Sequence, residues 1–460
     1  MAIEYLGLSS INGPLVVLEG LQDAFYDEIV EFTIEGKQQK MGRIIELNED
    51  KAVIQVFEGT ENMSLQNTHT KLTGRPMEVA VSPDMLGRTF NGIGEPVDGL
   101  GPIVSTDRRD VNGLPLNPVK REYPRNYIRT GISAIDGLTT LIRGQKLPIF
   151  SGNGLPHDQL AAQIVKQASL GEGAEGEFAV VFGAMGVKHD VAEFFRKTFE
   201  ESGVSDHVCM FLNLANDPVV ERLITPKVAL TAAEYLAFEC NMHILVILTD
   251  MTSFAEAMRE VSSSKGEIPS RKGYPGYLYS ELATIYERAG IVESANGSVT
   301  QLPILTMPND DITHPIPDLT GYITEGQIVL DRNLHGQAVY PPISILPSLS
   351  RLMKDGIGEG YTREDHQDLA NQLFSAYAKV GEARNLASVI GENELSPIDK
   401  QYLKFGEEFE HRYIGQGPNE NRSIQETLDL GWELLGMLPK EELDRIDTKL
   451  IEKYYPREAD

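Results

Sequence analysis

The chain contains few cysteines and no long apolar run. Only Cys209 and Cys240 occur among its 460 residues, and neither belongs to a CxxC pair or a His/Cys cluster. This gives no support for a disulfide framework or a zinc site, so both thiols are expected to be buried. The apolar run from Ile244 to Leu248 is far shorter than the roughly 20 residues that cross a bilayer. We expect it to be a buried strand, and any membrane association to be indirect.

Positive charge is scarce. The chain has 41 Lys and Arg residues against 68 Asp and Glu residues, which gives a net charge of −27. A surface of that sign repels a phosphate backbone, so no nucleic-acid partner is expected. This charge does not exclude a nucleotide ligand, because backbone N–H groups and a single Arg can hold a phosphate inside an acidic protein. Residues 1–5 lack the basic and apolar regions of a secretory signal, so a cytoplasmic location is expected.

The residue pattern changes twice along the chain, which predicts three domains. The first comprises residues 1–75, where short apolar runs such as Glu28 to Ile34 and Ala52 to Phe57 are separated by turn residues at 35–37 and 48–50. Short strands at this spacing are typical of a small barrel, so an N-terminal β-barrel is predicted.

Residues 76–350 alternate apolar strands with amphipathic helices. Four strand–helix pairs follow from the spacing: Leu147 to Ser151 before Leu160 to Leu170, Phe178 to Phe182 before Asp190 to Glu200, His207 to Leu212 before Ala229 to Glu239, and Ile244 to Leu248 before Ala255 to Val261. This alternation predicts a parallel α/β sheet that binds ligands at the carboxyl ends of its strands. The segments 87–101 and 303–326 are rich in Gly, Pro and Asp and predict long ordered loops.

Residues 351–460 carry helix start signals. Thr362, Ser396 and Ser423 each precede an acidic residue by three positions, which is the pattern of a helix N-cap. A C-terminal α-helical domain is therefore predicted. The expected fold class is a multidomain α/β protein with an N-terminal β-barrel, a central parallel α/β domain and a helical domain.

One strand–loop–helix segment has the architecture of a phosphate loop without its chemistry. The strand that ends at Ser151 leads into Gly152 and Gly154 and then into a helix, whose free N–H groups favour an anion. A working loop needs GxxxxGK[ST], but His157 and Asp158 stand where the Lys and the hydroxyl residue belong. Because a carboxylate repels a triphosphate, this loop alone is not expected to bind Mg-ATP tightly.

Further candidates follow other strands. Asp250 comes just after the run Ile244 to Leu248, and the sequence leaves open whether it is a metal–water ligand or a helix N-cap. Tyr340 precedes two prolines and could stack on an adenine ring, although such a tyrosine is more often a packing residue. The acidic turn at 310–315 is expected to be solvated, since no further ligand follows it at suitable spacing; no metal site is predicted.

Several motifs resemble the α/β subunits of rotary ATPases. They run in order along most of the chain: GRTFNGIGEP at 87–96, TGISAIDG at 130–137, RGQK at 143–146, ALTAAEY at 229–235, GYPGY at 273–277 and PPISILPSLSRL at 341–352. Because the loop lacks its Lys, the resemblance narrows to the B subunits, or beta chains, of archaeal and bacterial A/V-type ATPases.

This resemblance implies a RecA-like nucleotide-binding domain at residues 76–350. It also implies a ring in which three regulatory, non-catalytic B subunits alternate with three catalytic A subunits, in contact with central shaft subunits and a peripheral stalk. ATP or ADP with Mg²⁺ would lie at the A–B interface, mainly held by the A subunit. Arg351 matches the family position of an arginine finger that acts in trans on the neighbouring site. The implied function is ATP synthesis or hydrolysis coupled to H⁺ or Na⁺ transport, on the cytoplasmic side of the cell membrane.

Two alternatives have different signatures. A self-sufficient hexameric motor, such as an RNA translocase or export ATPase, needs the Lys and the catalytic acid that this chain lacks. The net charge of −27 also disfavours binding to an RNA track. A pure scaffold has lost all nucleotide chemistry and does not require Arg351. The role of that arginine therefore separates the B-subunit interpretation from the scaffold.

Overall fold

The computed structural model describes residues 4–34, 38–113 and 116–456. Its contacts divide the chain into two compact units. The first consists of Met1–Val119, Ala179–Arg288 and Ser294–Gly297, and the second of Lys120–Phe178, Ala289–Glu293 and Ser298–Asp460. The turn predicted at 35–37 lies outside the described residues.

Twelve strands precede the first α-helix, strands and helices are then interspersed as far as β21, and the end of the described chain is helical. The strands are β1 (Glu4–Leu6), β2 (Ser10–Asn12), β3 (Leu15–Glu19), β4 (Glu28–Ile34), β5 (Gln38–Asn48), β6 (Lys51–Val56), β7 (Thr68–Pro76), β8 (Glu78–Ala80), β9 (Thr89–Asn91), β10 (Arg108–Asp110), β11 (Arg121–Glu122), β12 (Ile128–Arg129), β13 (Ile149–Ser151), β14 (Ser169–Leu170), β15 (Phe178–Val187), β16 (Val208–Leu214), β17 (His243–Thr249), β18 (Gly290–Val292), β19 (Ser298–Thr306), β20 (Gly326–Leu330) and β21 (Ile343–Ser350). The α-helices are α1 (Ser133–Leu138), α2 (His157–Gln167), α3 (His189–Ser202), α4 (Val219–Phe238), α5 (Met251–Ser264), α6 (Leu278–Tyr286), α7 (Pro315–Ile323), α8 (Arg332–Gly336), α9 (His366–Ile390), α10 (Pro397–Glu408), α11 (Ile424–Leu435) and α12 (Thr448–Tyr454).

An antiparallel sheet opens the first unit, in the order β1–β7–β4–β5–β6–β3–β2. Alternate side chains of its strands, among them Val30, Phe32 and Ile54, are fully buried in one apolar cluster. The segments Glu28 to Ile34 and Ala52 to Phe57, predicted as short strands, correspond to β4 and β6. The sheet supplies the N-terminal β-structure of the predicted fold class.

Parallel strands follow in the same unit, in the order β17–β15–β16–β9. Strand β16 pairs in parallel with both β15 and β9. Helix α4 begins ten residues before the predicted Ala229 and contains Pro226. The first half of α4 has buried residues on all sides, including Val220, Ile224 and Thr225, so its sequence shows no amphipathic period.

Cys209 is buried as predicted, but Cys240 is only partly buried, because it lies just beyond the end of α4.

In the second unit, the strand order is β21–β20–β13–β19. Strand β13 pairs in parallel with β19 and β20, whereas β21 is antiparallel to β20. The prediction of a long loop at 303–326 was wrong, since this segment contains the end of β19 and helix α7. Pro315 and Pro317 sit in the first turn of α7, where their missing N–H groups cost no hydrogen bond, so proline here marks a helix start.

The C-terminal part of this unit is helical, as predicted. Ser396 caps α10, and Ser423 forms a reciprocal capping box with Glu426 at α11. Helix α10 continues into a π-helix at Phe409–Ile414. Within the described residues, none of the helices combines the length and the apolar character needed to cross a membrane.

The predicted N-cap at Thr362 was wrong, because α9 begins at His366. The Thr362 hydroxyl is instead 2.9 Å from Nδ1 of His366, whose Nε2 lies 2.9 Å from the Gly137 carbonyl oxygen. His366 is fully buried, and this burial lowers its pKa to about 4. Nε2–H must donate to the carbonyl oxygen, which leaves Nδ1 as an acceptor for the hydroxyl; both bonds suit the neutral ring.

His366 should therefore make the protein less stable in acid. Its pKa is about 6.5 in an unfolded chain, so between pH 6.5 and about 4 the unfolded state binds a proton that the folded state refuses. The free energy of unfolding falls with decreasing pH in this window, by about 1.4 kcal/mol per unit from this group. We expect His366→Gln to lose less stability than the wild type between pH 6.5 and 4, measured as Tm by calorimetry.

The exposed His335 provides the control. His335→Gln should leave the difference between neutral and acidic Tm as in the wild type. Parallel pH profiles for the wild type and His366→Gln would show that the buried ring does not carry this dependence.

Candidate functional site

The loop between β13 and α2 has the backbone of a phosphate loop, but a histidine side chain connects its two ends. Gly154 has a φ of 79°, a left-handed turn that favours glycine. Nδ1 of His157, in the first turn of α2, lies 2.9 Å from Oγ of Ser151 at the end of β13. Nε2 of the same ring lies 3.7 Å from Oδ1 of Asp158. The structure therefore brings Ser151, His157 and Asp158 together, with the imidazole held between the hydroxyl and the carboxylate.

A second carboxylate lies against this loop. Arg332 donates from Nε and Nη2 to the two oxygens of Asp310, at 2.7 and 2.9 Å, and Nη2 also donates to the Asn153 carbonyl oxygen at 2.9 Å. A Cβ built on Gly152 would lie only 2.1 Å from Oδ1 of Asp310. The bidentate pair lowers the pKa of Asp310, so this carboxylate is ionised beside the glycines that would otherwise approach a phosphate.

The sequence did not reveal the contact of Asp310 with Arg332. The turn at 310–315 was expected to be solvated, which holds for the exposed Asp310 and Thr313 but not for the buried His314. Oδ1 of Asp311 accepts hydrogen bonds from the backbone N–H and the hydroxyl of Thr313. Arg332 is the first residue of α8, and β20 lies between it and Asp310 along the sequence. No short sequence spacing therefore links the two residues. Only the parallel pairing of β13 with β20 brings α8 to the loop.

Tyr340 lies in the same unit as the loop. It lines a cavity of about 620 Å³ together with Gln416, Gly417 and Arg422, a volume in the usual range for small-molecule sites. The Tyr340 hydroxyl donates to Oε1 of Gln163 at 2.8 Å, and Nε2 of Gln163 donates to the Gly417 carbonyl oxygen at 3.0 Å. The tyrosine is thus fixed by its hydroxyl at the wall of a cavity large enough for a nucleobase.

Asp250 belongs to the first unit, whereas the loop belongs to the second. Its Oδ1 accepts a hydrogen bond from the backbone N–H of Thr252 at 2.9 Å, so Asp250 caps α5. Of the two interpretations that the sequence left open for Asp250, the structure contains the hydrogen bond of a helix N-cap.

Arg351 follows β21 and has an exposed side chain. Its backbone is anchored, because its N–H donates to the Glu325 carbonyl oxygen at 2.9 Å and the preceding Ser350 hydroxyl donates to the Thr140 carbonyl oxygen at 2.8 Å. Nη1 donates to the Thr324 carbonyl oxygen at 3.1 Å. Among the residues that the structure describes, no carboxylate lies within 4.0 Å of this guanidinium. A fixed backbone thus presents a cation without an acidic partner.

The loop does not fit Mg-ATP. It offers two carboxylates, Asp158 and Asp310, where a triphosphate needs an ammonium and a metal-binding hydroxyl. In the described part of the chain, no group of three His, Cys, Asp or Glu side chains has a geometry that could hold a metal ion.

These carboxylates should set the nucleotide affinity of the loop. We expect His157→Lys/Asp158→Ser to bind ATP more tightly than the wild-type chain. Adding Asp310→Asn should raise the affinity a further ~5-fold or more, because a like charge about 4 Å away costs on the order of 1 kcal/mol even in water. Calorimetric titration of the full chain with ATP measures both steps.

Asp444→Asn is the matched control, since Asp444 is an exposed acid of the C-terminal part. It should not change the ATP affinity of the His157→Lys/Asp158→Ser chain. An equally small effect of Asp310→Asn would rule out repulsion by that carboxylate.

Three family models match the chain in order. The beta-barrel domain of the ATP synthase alpha/beta family matches residues 8–74, its nucleotide-binding domain matches residues 131–350, and the C-terminal domain of V and A type ATP synthase matches residues 355–455. The chain is 64% identical to V-type ATP synthase beta chain 2 of Clostridium tetani over 456 residues, which cover 99% of both chains.

Relatives of the A type are nearly as similar. The B subunit of the A-type ATP synthase of Aeropyrum pernix is 59% identical over 454 residues, which cover 99% of this chain and 98% of that one. A solved structure, the ATP synthase subunit NeqB from Nanoarcheaum equitans, is 40% identical with a TM-score of 0.73 and covers 93% of this chain and 100% of its own. With a β-barrel, a nucleotide-binding and a V/A C-terminal domain all matched, this chain belongs to the ATP synthase alpha/beta family, among its V- and A-type B subunits (beta chains).

Proposed function

We propose that this chain is a non-catalytic, regulatory B subunit, three copies of which alternate with three catalytic A subunits in a ring of six. It supplies Arg351 in trans as an arginine finger for ATP synthesis or hydrolysis coupled to H⁺ or Na⁺ transport. The observation that carries the proposal is the contrast between the two sites: an anionic, closed loop and an exposed arginine without an acidic partner among the described residues.

The charge of the protein makes this contrast informative. Acidic residues outnumber basic ones by 68 to 41, so an exposed guanidinium has many potential partners. Arg332 and Arg363 each form bidentate pairs with an aspartate, whereas Arg351 contacts only a backbone carbonyl oxygen in the described chain. An unpaired guanidinium on a fixed backbone is suited to an external anion such as a γ-phosphate.

Within this proposal, ATP or ADP with Mg²⁺ binds at the A–B interface and is held mainly by the A subunit. The residues Ser151, Gly152, Gly154, His157, Asp158 and Tyr340 then mark a degenerate site with at most weak nucleotide binding. Asp250, the further candidate from the sequence, belongs to the first unit and caps α5. The cavity beside Tyr340 supports a residual base subsite, and the carboxylates at the loop oppose phosphate binding.

The remaining parts of the proposal concern the assembly. Central shaft and peripheral stalk subunits are further partners, and the chain is cytoplasmic and reaches the membrane only through the ion-translocating part of the complex. The three-domain division at 1–75, 76–350 and 351–460 is supported by the ranges of the matched family models, 8–74, 131–350 and 355–455.

Loss of Arg351 should abolish turnover without preventing assembly. In a ring reconstituted with A subunits, we expect Arg351→Ala to lower steady-state ATPase activity by about 10³–10⁵-fold, the usual contribution of an arginine finger. Lys354→Ala is the matched control, because Lys354 is an exposed cation three residues away, and it should leave turnover unchanged. Size-exclusion chromatography verifies that both variants form rings.

The alternatives give different results. Unchanged turnover of an assembled Arg351→Ala ring would leave only a scaffold role. Robust ATP hydrolysis by the isolated chain would support a self-sufficient motor.

A further inference from the structure

We propose that a cationic cavity in the first unit binds a small amphipathic carboxylate, a ligand with one negative charge and a short apolar tail. The cavity has a volume of about 210 Å³ and is lined by Arg43, Lys227 and Lys265, by one carboxylate from Glu281, by two tyrosines and one glutamine, and by apolar side chains. It involves neither the phosphate-like loop nor Arg351, so it is independent of the function proposed above.

Three elements of one unit bring the cations together. Arg43 belongs to β5, Lys227 to α4, and Lys265 follows the end of α5. Their side chains are only 15%, 15% and 18% exposed. Such burial removes most of the water that normally stabilises an ammonium or a guanidinium, so these charges need partners.

Two of the three cations are incompletely paired. Lys265 has a close partner, since its Nζ lies 2.8 Å from Oε1 of Glu267. Nη1 of Arg43, by contrast, lies 3.7 Å from Oδ1 of Asp27, too far for a hydrogen bond, and its Nε donates to the neutral Gln55 side chain at 3.2 Å.

Lys227 is the least satisfied of the group. Its Nζ lies 3.9 Å from Oε2 of Glu281, which is the only carboxylate oxygen within 4.0 Å of it in the described chain. Burial lowers the pKa of Lys227, and the nearby Arg43 lowers it too, because each carries an electrostatic penalty for the positive charge. An anion in the cavity would relieve the penalty by accepting hydrogen bonds from Lys227 and Arg43 together.

The rest of the wall determines the class of anion. Leu223, Phe254, Met258 and Val261 line the same cavity, so an inorganic ion would leave an apolar surface uncovered. A volume of 210 Å³ corresponds to about seven water-sized groups at about 30 Å³ each. It is below the roughly 300 Å³ at which sites for drug-sized ligands begin. A carboxylate with a tail of a few carbon atoms fits both the charge and the space.

The test is calorimetric titration of the full chain with hexanoate, with hexanol as the uncharged analogue and inorganic phosphate as the anion without a tail. Hexanoate should bind saturably, at least tenfold more tightly than either analogue. Lys227→Met should weaken hexanoate binding at least tenfold. Glu281→Gln should strengthen it several-fold, because Glu281 is the only acidic residue among the described residues that line the cavity.

Lys197→Met is the matched control, since Lys197 is an exposed lysine of α3 in the same unit, and it should leave binding unchanged. Glu281→Gln keeps the proposal falsifiable if Lys227→Met fails to fold. Absence of saturable hexanoate binding, equal binding of hexanol, or weaker binding to Glu281→Gln would each overturn the proposal.

Discussion

The negative charge at the end of β13 is the constraint on which the chemistry of this protein depends. A phosphate loop works because backbone N–H groups, a lysine and a metal ion surround the phosphates with positive charge. Here the helix N-terminus is still present, but Asp158 stands in its first turn and Asp310 lies against Gly152. Arg332, a cation in contact with this loop, has its Nε and one Nη nitrogen bound to Asp310 and the Asn153 carbonyl oxygen. The loop thus keeps its backbone shape while its charge opposes a triphosphate.

In the same unit, Arg351 differs from Arg332 because it has no acidic partner among the described residues. Hydrogen bonds from Gln145 to Ser350 and from Ser350 to Thr140 hold the end of β21, and no described carboxylate neutralises the guanidinium that follows. A cation held in this way is better suited to a neighbouring chain than to its own. Within the proposed ring, the two features together would allow a chain with a net charge of −27 to contribute to phosphate chemistry.

Local signals in the sequence predicted much of the fold. Short apolar runs bounded by turn residues identified β4 and β6, and the hydroxyl–acid spacing identified the starts of α10 and α11. The same spacing failed at Thr362, because a buried histidine binds that hydroxyl. Periodicity also failed in the first half of α4, where burial on all sides removes the amphipathic pattern.

The candidate site was only partly predictable for a related reason. His157 and Asp158 could be identified from a motif, since their positions are defined by a short spacing. The placement of Asp310 against the loop depends on the order of strands in a sheet, and the burial of Lys227 beside Arg43 depends on the packing of a helix on a barrel strand. Neither leaves a local trace in the sequence. Arg351 was identified through its surrounding family motif, and the structure adds that it has no described acidic partner.

The most direct test of the central claim is a single-turnover measurement on the assembled ring, with ATP already bound at the A–B interface. If Arg351 acts on the γ-phosphate, Arg351→Ala will slow the hydrolysis of bound ATP by about three orders of magnitude or more. The affinity of the ring for ATP will change far less than this rate, because the contribution is made in the transition state. An unchanged rate for bound ATP, or a loss explained entirely by weaker ATP binding, would contradict the account.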